Sequence, residues 1–362
     1  MTERVLVAMS GGIDSSVALL KILEAGYDAV GVTMKLWEYR DVGGNLLRES
    51  NCCPIEAIND AREVCVQLGV PHYTLDFQEE FREQVIDNFV SEYRQGNTPN
   101  PCVRCNSLIK WNALLEQADR LGANKIATGH YARIEPVADG SLVLKKGHDQ
   151  NKDQSYVLWG IPRASLAHTL LPLGNFTKAE VRALAAKHEL ATAGVEESQD
   201  ICFVPDNDYR RFLEEMIPEQ MAAGVGEIVD EAGEVLGYHQ GHAAYTVGQR
   251  RGLGIAAPEP LYVTSIDPRS NRISVGGRAA LFSGSCQVTD MNWLIPPPVE
   301  PIDIHAHIRY NSVGAGAKLI PEKDSAHLEF DEPQLAITPG QSAVLYRDDV
   351  VLGGGIITRG IT

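Results

Sequence analysis

Two groups of residues in this chain have types and spacings that could do chemistry: a cysteine pair and a glycine–serine turn. The segment 97–106, NTPNPCVRCN, places Cys102 and Cys105 two residues apart, behind Pro99 and Pro101. Because proline does not fit the interior of a helix or a central strand, we predict a loop or an extended lead-in with exposed cysteines. Such a pair could be half of a zinc site, a redox pair, an iron–sulfur ligand pair or a nucleophile with a neighbour.

The other cysteines of the chain differ in their surroundings. Cys65 lies on the apolar stripe of a predicted helix and Cys286 lies in a β segment, so we predict that both are core residues. Cys52 and Cys53 lie in a polar loop, and we assign no role to them. Cys202 lies near the edge of a loop, where the pattern is compatible with either a buried small side chain or a reactive thiol.

The glycine–serine turn, SGGIDSS at residues 10–16, lies between the apolar segment RVLVAM and a helical pattern. Gly11 and Gly12 permit a tight turn, and the N–H groups that follow lie at a helix N-terminus, where an anion is favoured. We expect the hydroxyl groups of this turn, on Ser10, Ser15 and Ser16, to face outward. The alternative is a plain strand–helix turn without a ligand.

This turn contains no lysine, so it is not the usual P-loop. Its composition fits pyrophosphate better than a γ-phosphate that is held for transfer. Asp14 has the wrong charge for direct contact with a phosphate, and we predict that it helps to hold Mg²⁺.

Bulk composition limits the class of protein. The chain has 362 residues, 44% of them hydrophobic and 22% charged, which is typical of a globular protein with two or three domains. We find no signal-peptide pattern and no apolar run long enough to cross a bilayer, so we expect a cytoplasmic protein with free thiols. The net charge of −16 argues against general affinity for polyanions, although residues 101–152 and 240–280 each have an excess of basic side chains.

The pattern of elements predicts an α/β fold with three parts. Strand and helix patterns alternate over residues 1–205, which predicts a doubly wound parallel sheet covered on both faces. A capping box, Thr177 to Glu180, begins a late helix of this domain. Short β segments follow, and we predict a small mixed linker domain at 206–280 and an antiparallel β-barrel at 281–362.

With these elements in place, SGGIDSS resembles the motif of the PP-loop ATP pyrophosphatases, which activate an oxygen by transferring AMP to it. That motif alone is shared with GMP synthetases, argininosuccinate synthetases and tRNA lysidine synthetases. Further segments resemble the bacterial tRNA-specific 2-thiouridylases, in the expected order: NTPNPCVRCN, ATGHYAR (127–133), KDQSYVL (152–158), ESQDICF (197–203), YTVGQRRGLG (245–254) and RY (309–310).

The resemblance implies an enzyme that adenylates the position-2 oxygen of the wobble uridine of tRNA and replaces it with sulfur. It implies ATP with Mg²⁺, a tRNA substrate, and a sulfur donor such as a cysteine desulfurase or a sulfur-relay protein. The implied ATP contacts are Ala8, Met9, Ser10, Gly11, Gly12, Ile13, Asp14, Ser15, Ser16, Met34 and Gly129. The implied tRNA contacts are Asn100, Pro101, Cys102, His130, Lys152, Asp153, Gln154, Arg309, Tyr310 and Gln341.

The resemblance also assigns the cysteines. By motif position Cys202 carries sulfur as a persulfide, and Cys105 helps to release it. Many members of the family have Asp at the position of Cys102. A third thiolate there could anchor a 4Fe–4S cluster with Cys105 and Cys202, one iron being left open for sulfide. Zinc and a thioredoxin-like pair fit the spacing less well.

Two other functions remain open at this point. One is a different PP-loop ligase that forms AMP and uses no tRNA, which would leave Cys105 and Cys202 without a purpose. The other is a non-catalytic iron–sulfur or zinc protein that binds a nucleotide.

Overall fold

The computed structural model describes residues 2–38, 54–195, 201–204, 206, 208–217 and 224–361. The residues fall into two compact units: unit 1 contains Met1–Val85, Cys102–Asn207 and Asp349–Leu352, and unit 2 contains Ile86–Pro101, Asp208–Asp348 and Gly353–Thr362. The α-helices are α1 (Ile13–Glu24), α2 (Pro54–Gln67), α3 (Gln78–Phe81), α4 (Asp87–Arg94), α5 (Pro101–Arg104), α6 (Leu114–Arg120), α7 (Lys178–Lys187) and α8 (Tyr209–Met216). Two π-helical segments span Arg82–Ile86 and Cys105–Ala113.

Unit 1 is built on a five-stranded parallel sheet. Its strands and one hairpin are β1 (Arg4–Ala8), β2 (Asp28–Lys35), β3 (His72–Asp76), β4 (Lys125–Ala127), β5 (Ala132–Pro136), β6 (Leu142–Lys146) and β7 (Thr169–Leu170). The order in the sheet is β3-β2-β1-β4-β7, so the direction of winding reverses between β1 and β4. This confirms the doubly wound sheet, and its switch point lies where the loops after β1 and β4 begin. The β5–β6 hairpin was not anticipated from the sequence.

The core of unit 1 explains why its strands have continuous apolar runs. Val5, Leu6 and Val7 of β1 have no exposed surface, because helices cover the sheet on both sides. One core cluster joins β1 to α1 and α2 and includes Cys65, as predicted. A second cluster joins α1 to α7, and the predicted capping box at Thr177 and Glu180 is present at the start of α7.

The cysteine segment corrects one prediction. Cys102 lies in α5, which begins at Pro101, and Cys105 begins the π-helix Cys105–Ala113. The error came from treating proline as excluded from all helical positions. Proline fits the first position of a helix, because the N–H group that it lacks would have no partner there. Cys105 is also buried, with 7% of its surface exposed, whereas we had predicted an exposed thiol.

Unit 2 contains two β structures, a four-stranded sheet and a closed barrel. A four-stranded sheet has the order β10-β11-β8-β9, from β8 (Gly226–Val229), β9 (Val235–His239), β10 (Tyr262–Asp267) and β11 (Arg272–Gly276). The other strands are β12 (Phe282–Trp293), β13 (Ile302–His307), β14 (Ala315–Pro321), β15 (Ala326–Leu335), β16 (Ser342–Arg347) and β17 (Val350–Ile361), of which the first three residues are assigned to unit 1. Pairing of β12 with β17 closes these six antiparallel strands into the predicted barrel, whose core includes Cys286.

Within the described ranges, we find no helix whose length and apolar character would suit a membrane span. Several sequence features lie outside those ranges. They are Cys52, Cys53 and the first part of the ESQDICF segment, residues 197–200.

Candidate active site

The turn after β1 has, at one position, a conformation that favours glycine. Gly11 has a φ of +78°, and a Cβ atom on it would lie 2.4 Å from the carbonyl oxygen of Ala57 in α2. The turn therefore passes directly over the backbone of α2. Gly12 is extended and precedes the first residue of α1, so the free N–H groups of α1 begin at the switch point of the sheet.

The hydroxyl groups of this turn are oriented differently from our prediction. Ser10 is exposed, but Ser15 and Ser16 are buried, and both of their hydroxyls donate to the carbonyl oxygen of Gly12, at 2.9 and 3.0 Å. Ser16 also accepts a 2.7 Å hydrogen bond from Thr192. Serines in the first turn of a helix readily bond to a nearby backbone carbonyl, which is why these two do not face outward.

Asp14 is held by two residues that are distant in the sequence. The ammonium of Lys178 lies 2.8 Å from each carboxylate oxygen of Asp14, and the hydroxyl of Tyr131 donates to Oδ1 at 2.7 Å. Lys178 is the first residue of α7 and is only 8% exposed. The carboxylate that we had predicted to help hold Mg²⁺ is therefore already paired with a buried cation.

The other residues with a predicted ATP contact lie around the same turn. Gly129 follows β4, and a Cβ atom on it would lie 2.8 Å from the carbonyl carbon of Asp14. Its lack of a side chain lets this loop pack against the start of α1. Met9 and Ile13 are buried, so any contact that they make with a ligand is through the backbone. Ala8 and Met34 lie at the carboxyl ends of β1 and β2.

The three thiols of Cys102, Cys105 and Cys202 lie close enough in unit 1 to influence one another electrostatically. Desolvation raises the pKa of Cys202, and the neighbouring Cys105 and Cys102 raise it further. Desolvation also raises the pKa values of Cys102 and Cys105. Cys102 and Cys202 nonetheless keep exposed surface, so both can be reached from solvent while protein atoms surround their sulfur atoms.

Packing on either side of the thiols holds them in place. Phe203, next to Cys202, is 1% exposed and lies edge-on to Phe81 of α3, with 5.8 Å between ring centroids. The indole of Trp37 forms a hydrogen bond with the side chain of Cys202. On the other side, Trp111 anchors the π-helix with a 2.9 Å hydrogen bond from Nε1 to the hydroxyl of Thr169.

A lysine on the π-helix is the main cation near these thiols. Lys110 lowers the pKa values of all three cysteines, although it does not overcome desolvation. Hydrogen bonds in a π-helix join residues five apart, so Lys110 lies one turn along from Cys105. His130 hydrogen bonds to Thr128 at 2.8 Å. Desolvation and Lys110 hold the pKa of His130 well below its usual value, so its imidazole is neutral at physiological pH.

The predicted tRNA segment 152–154 has structural roles within unit 1. Asp153 accepts hydrogen bonds from the backbone N–H of Gly147 and from the hydroxyl of Ser155, both at 2.8 Å. The side-chain oxygen of Gln154 accepts from the N–H of Tyr131 at 3.0 Å. Because Tyr131 also holds Asp14, this segment is connected by hydrogen bonds to the glycine–serine turn.

The predicted tRNA residues of unit 2 fall into two groups. Gln341 donates to the carbonyl oxygen of Thr98 at 2.8 Å, so it supports the backbone that leads to Asn100 and Pro101. The guanidinium of Arg309 donates to the carbonyl oxygens of Leu335 and Ala336. The side chain of Tyr310 is 44% exposed. Tyr310 is therefore the one of these side chains with most surface available for a base to stack on.

Sequence reasoning missed four residues of this site: Trp37, Lys110, Tyr131 and Lys178. Tyr131 lies within the ATGHYAR segment, and Lys178 follows the recognised cap Thr177, so both were near observed motifs. No pattern in the sequence pairs Lys178 with Asp14, because the two are brought together only by the packing of α7 on α1. Trp37 carried no signal of its own.

In the part of the chain that is described, no group of three His, Cys, Asp or Glu side chains is arranged to hold a metal ion. The 4Fe–4S cluster on Cys102, Cys105 and Cys202 remains a prediction, as does Mg²⁺ near Asp14.

A glycine turn at the switch point of an open parallel α/β sheet is a position where such domains bind a ligand. Three family models match the chain in succession: the tRNA methyl transferase HUP domain over residues 3–206, the tRNA methyl transferase PRC-barrel domain over 210–277 and the Aminomethyltransferase beta-barrel domain over 283–357.

Relatives with known names resemble the chain over nearly its whole length. The tRNA-specific 2-thiouridylase MnmA of Geotalea uraniireducens is 49% identical, over 99% of this chain and 96% of that protein. The protein of the same name from Heliobacterium modesticaldum is 48% identical, over 100% of this chain and 94% of that protein. The one from Acidithiobacillus ferrooxidans is 46% identical, over 98% of each. The chain belongs to the family of tRNA-specific 2-thiouridylases.

Proposed function

We propose that the chain is an ATP-dependent tRNA sulfurtransferase that converts the wobble uridine of tRNA to 2-thiouridine. The observation that carries this proposal is the grouping of Cys102, Cys105 and Cys202 in unit 1. A methyl transfer, which the names of two matching family models suggest, would have no use for three neighbouring thiols. A PP-loop ligase without tRNA would have no use for them either.

Activation of the base comes first in this proposal. The position-2 oxygen of uracil attacks the α-phosphorus of ATP, the bond to the β-phosphate oxygen breaks, and pyrophosphate leaves. This step is needed because oxide is a poor leaving group, whereas AMP is a good one. The support for it is the turn at residues 10–16, whose glycine backbone lies at the N-terminus of α1, where an anion is favoured.

Sulfur transfer follows. The terminal sulfur of a persulfide on Cys202 attacks carbon 2 of the base, and the bond from that carbon to the oxygen of AMP breaks. The thiolate of Cys105 then attacks the Cys202 sulfur, and the electron pair of the S–S bond remains with the sulfur on the base. A Cys105–Cys202 disulfide results, and an external thiol reduces it. The electrostatic proximity of the two thiols supports this assignment.

The tRNA contacts, the donor and the division into domains are part of the same proposal. We propose that residues 1–205 adenylate the base and transfer sulfur, that 206–280 form a linker domain, and that 281–362 form the barrel domain. Asn100, Pro101 and Cys102 would form the wall for a flipped uridine, because a base must leave its stack to be modified. A cysteine desulfurase or a sulfur-relay protein would supply the persulfide sulfur.

Replacement of Cys202 by Ser tests the function directly. We expect Cys202→Ser to form no 2-thiouridine while it still adenylates unmodified tRNA and releases pyrophosphate, because activation precedes sulfur attack. Nucleoside analysis of the digested tRNA measures the first quantity, and a pyrophosphate assay with and without tRNA measures the second.

Cys286→Ser is the matched control, since Cys286 is fully buried in the barrel and should affect stability alone. Normal thiolation by Cys202→Ser would show that the sulfur path is wrong. Nucleotide release by the wild-type chain without any tRNA would favour the ligase alternative. The iron and acid-labile sulfide content of protein purified without oxygen tests for the cluster independently of activity.

A further inference from the structure

Lys178 is a buried lysine beside a turn that contains no basic residue of its own. It is 8% exposed, and its ammonium bonds to both carboxylate oxygens of Asp14 at 2.8 Å. Burial of an ammonium group is unfavourable unless a charge partner and hydrogen bonds compensate for it. A buried cation is therefore held at residues 10–16, where the sequence showed only neutral groups and one carboxylate.

The position of this cation is set independently of Asp14. Thr177 caps the start of α7 with its side chain, and the backbone N–H of Lys178 donates to Asp149 at 2.9 Å. The helices α7 and α1 share one core cluster, which includes Val17 and Val181. The capped helix start and the shared core thus fix the backbone of Lys178. An exchange of partners by its ammonium would therefore need no movement of the backbone.

The Asp14 carboxylate is also held without the lysine. The hydroxyl of Tyr131 donates to its Oδ1 at 2.7 Å, and the backbone N–H of Tyr131 is bonded to Gln154. If the ammonium turned to another anion, Asp14 would keep this hydrogen bond, and its side chain is one third exposed to water. After separation, Asp14 would therefore have Tyr131 and water as partners, and Lys178 would have the incoming anion.

We propose that Lys178 is the phosphate-binding cation of this site and that it exchanges Asp14 for the pyrophosphate part of ATP. In a Walker A loop a lysine within the loop itself contacts the β- and γ-phosphates. Here the turn lacks that lysine, and α7 supplies one from 164 residues further along the chain. Asp14 keeps the ammonium charge balanced when no nucleotide is present. This inference rests on the proposed use of ATP.

Pyrophosphate binding to a set of five full-length chains tests the exchange. Isothermal titration with inorganic pyrophosphate and with ATP, without tRNA, is applied to the wild type, Lys178→Met, Lys178→Arg, Asp14→Asn and the Lys178→Met/Asp14→Asn double variant. We expect Lys178→Met to weaken pyrophosphate binding at least tenfold and Lys178→Arg to restore part of it. We expect the double variant to bind as weakly as Lys178→Met.

The double variant distinguishes a ligand-binding role from a structural one. It has no uncompensated buried charge, so it should fold even if Lys178→Met does not, and thermal unfolding measures this. If the double variant recovered the wild-type affinity for pyrophosphate, Lys178 would serve only to neutralise Asp14, and the inference would be wrong. If the wild type bound neither ATP nor pyrophosphate, the proposed function itself would fail.

Discussion

At the scale of single residues, the candidate site depends on how burial changes the chemistry of its cysteines. Thiolates are the reactive form of cysteine, and desolvation raises the pKa values of Cys102, Cys105 and Cys202. Lys110 opposes this effect for all three, and the hydrogen bond from Trp37 opposes it for Cys202. At neutral pH the free thiols are therefore mostly protonated, and a loss of protons must accompany loading with sulfur.

The pH dependence of alkylation should reveal this burial. Below its pKa a thiol forms about ten times more thiolate for each pH unit of increase. Because the pKa of Cys202 is raised, we expect its rate of reaction with iodoacetamide to rise about tenfold per unit throughout pH 7 to 9. Mass spectrometry of peptides after short exposures gives the rate for each cysteine.

Two buried cysteines provide the comparison. Cys65 and Cys286 have no exposed surface, so they should stay unmodified until the protein is unfolded. A rate for Cys202 that levels off below pH 9 would mean that its thiol has an ordinary or lowered pKa, and that Lys110 outweighs desolvation.

At the scale of elements, the turn between β1 and α1 depends on backbone conformation more than on side chains. Gly11 combines a positive φ with a close approach to Ala57 of α2, while Gly129 approaches the backbone of Asp14 and Ser15. Loops after two neighbouring strands thus pack against the same helix start. This packing requires residues without a Cβ atom, and it positions the N–H groups that a phosphate would contact.

Substitution of Gly11 by Ala should damage both folding and nucleotide binding. The left-handed conformation alone costs a non-glycine residue about 1–3 kcal/mol. The added Cβ would also lie 2.4 Å from the carbonyl oxygen of Ala57, so α2 or the turn must move. We expect a lower midpoint of urea unfolding and at least a tenfold loss of ATP affinity by calorimetry.

Gly26→Ala is the control, because it has the unfavourable backbone conformation without the steric clash of Gly11→Ala. Gly26 has a φ of +84°, but its added Cβ would meet no atom within 4 Å. The Gly26→Ala variant should lose about 1–2 kcal/mol of stability and bind ATP normally. Equal ATP affinity in Gly11→Ala and Gly26→Ala would contradict the assignment of the turn as a phosphate site.

At the scale of the whole molecule, an acidic protein of net charge −16 has to bind a polyanion. Affinity for RNA must then come from local groups of basic and aromatic residues rather than from overall charge. The segment 152–154 in unit 1 and Arg309 with Tyr310 in unit 2 are such groups in our proposal. Several of their side chains have structural roles, so in this proposal Lys152 and Tyr310 are among the few residues that would contact RNA directly.

Salt dependence of tRNA binding should measure the contribution of Lys152. If Lys152 contacts a phosphate, Lys152→Gln should weaken binding and reduce the slope of log affinity against log salt by about one. Filter binding of unmodified tRNA between low and moderate salt gives the slope, and ATP affinity should not change.

Lys187→Gln is the matched control, because Lys187 is exposed in the last turn of α7, outside the proposed RNA surface. An unchanged slope in Lys152→Gln, or an equal reduction in Lys187→Gln, would remove Lys152 from that surface.

Local patterns in the sequence were sufficient for the fold class, the capping box of α7, the core positions of Cys65 and Cys286, and the family. Each of these depends on residues close together in the chain or on short motifs, so it can be inferred without knowledge of distant contacts. The same reasoning failed for the segment 97–106, because proline at the first position of a helix and proline in a loop look alike in sequence.

Contacts between residues that are far apart in the chain depend on how the helices and strands pack in the tertiary structure. No local preference indicates that Lys178 bonds to Asp14, that Trp37 contacts Cys202 or that Lys110 lowers the pKa values of all three thiols. The buried orientation of Ser15 and Ser16 and the raised pKa values of the thiols likewise depend on the protein atoms that surround them. Desolvation and long-range ion pairs are properties of packed atoms, and a linear pattern does not contain them.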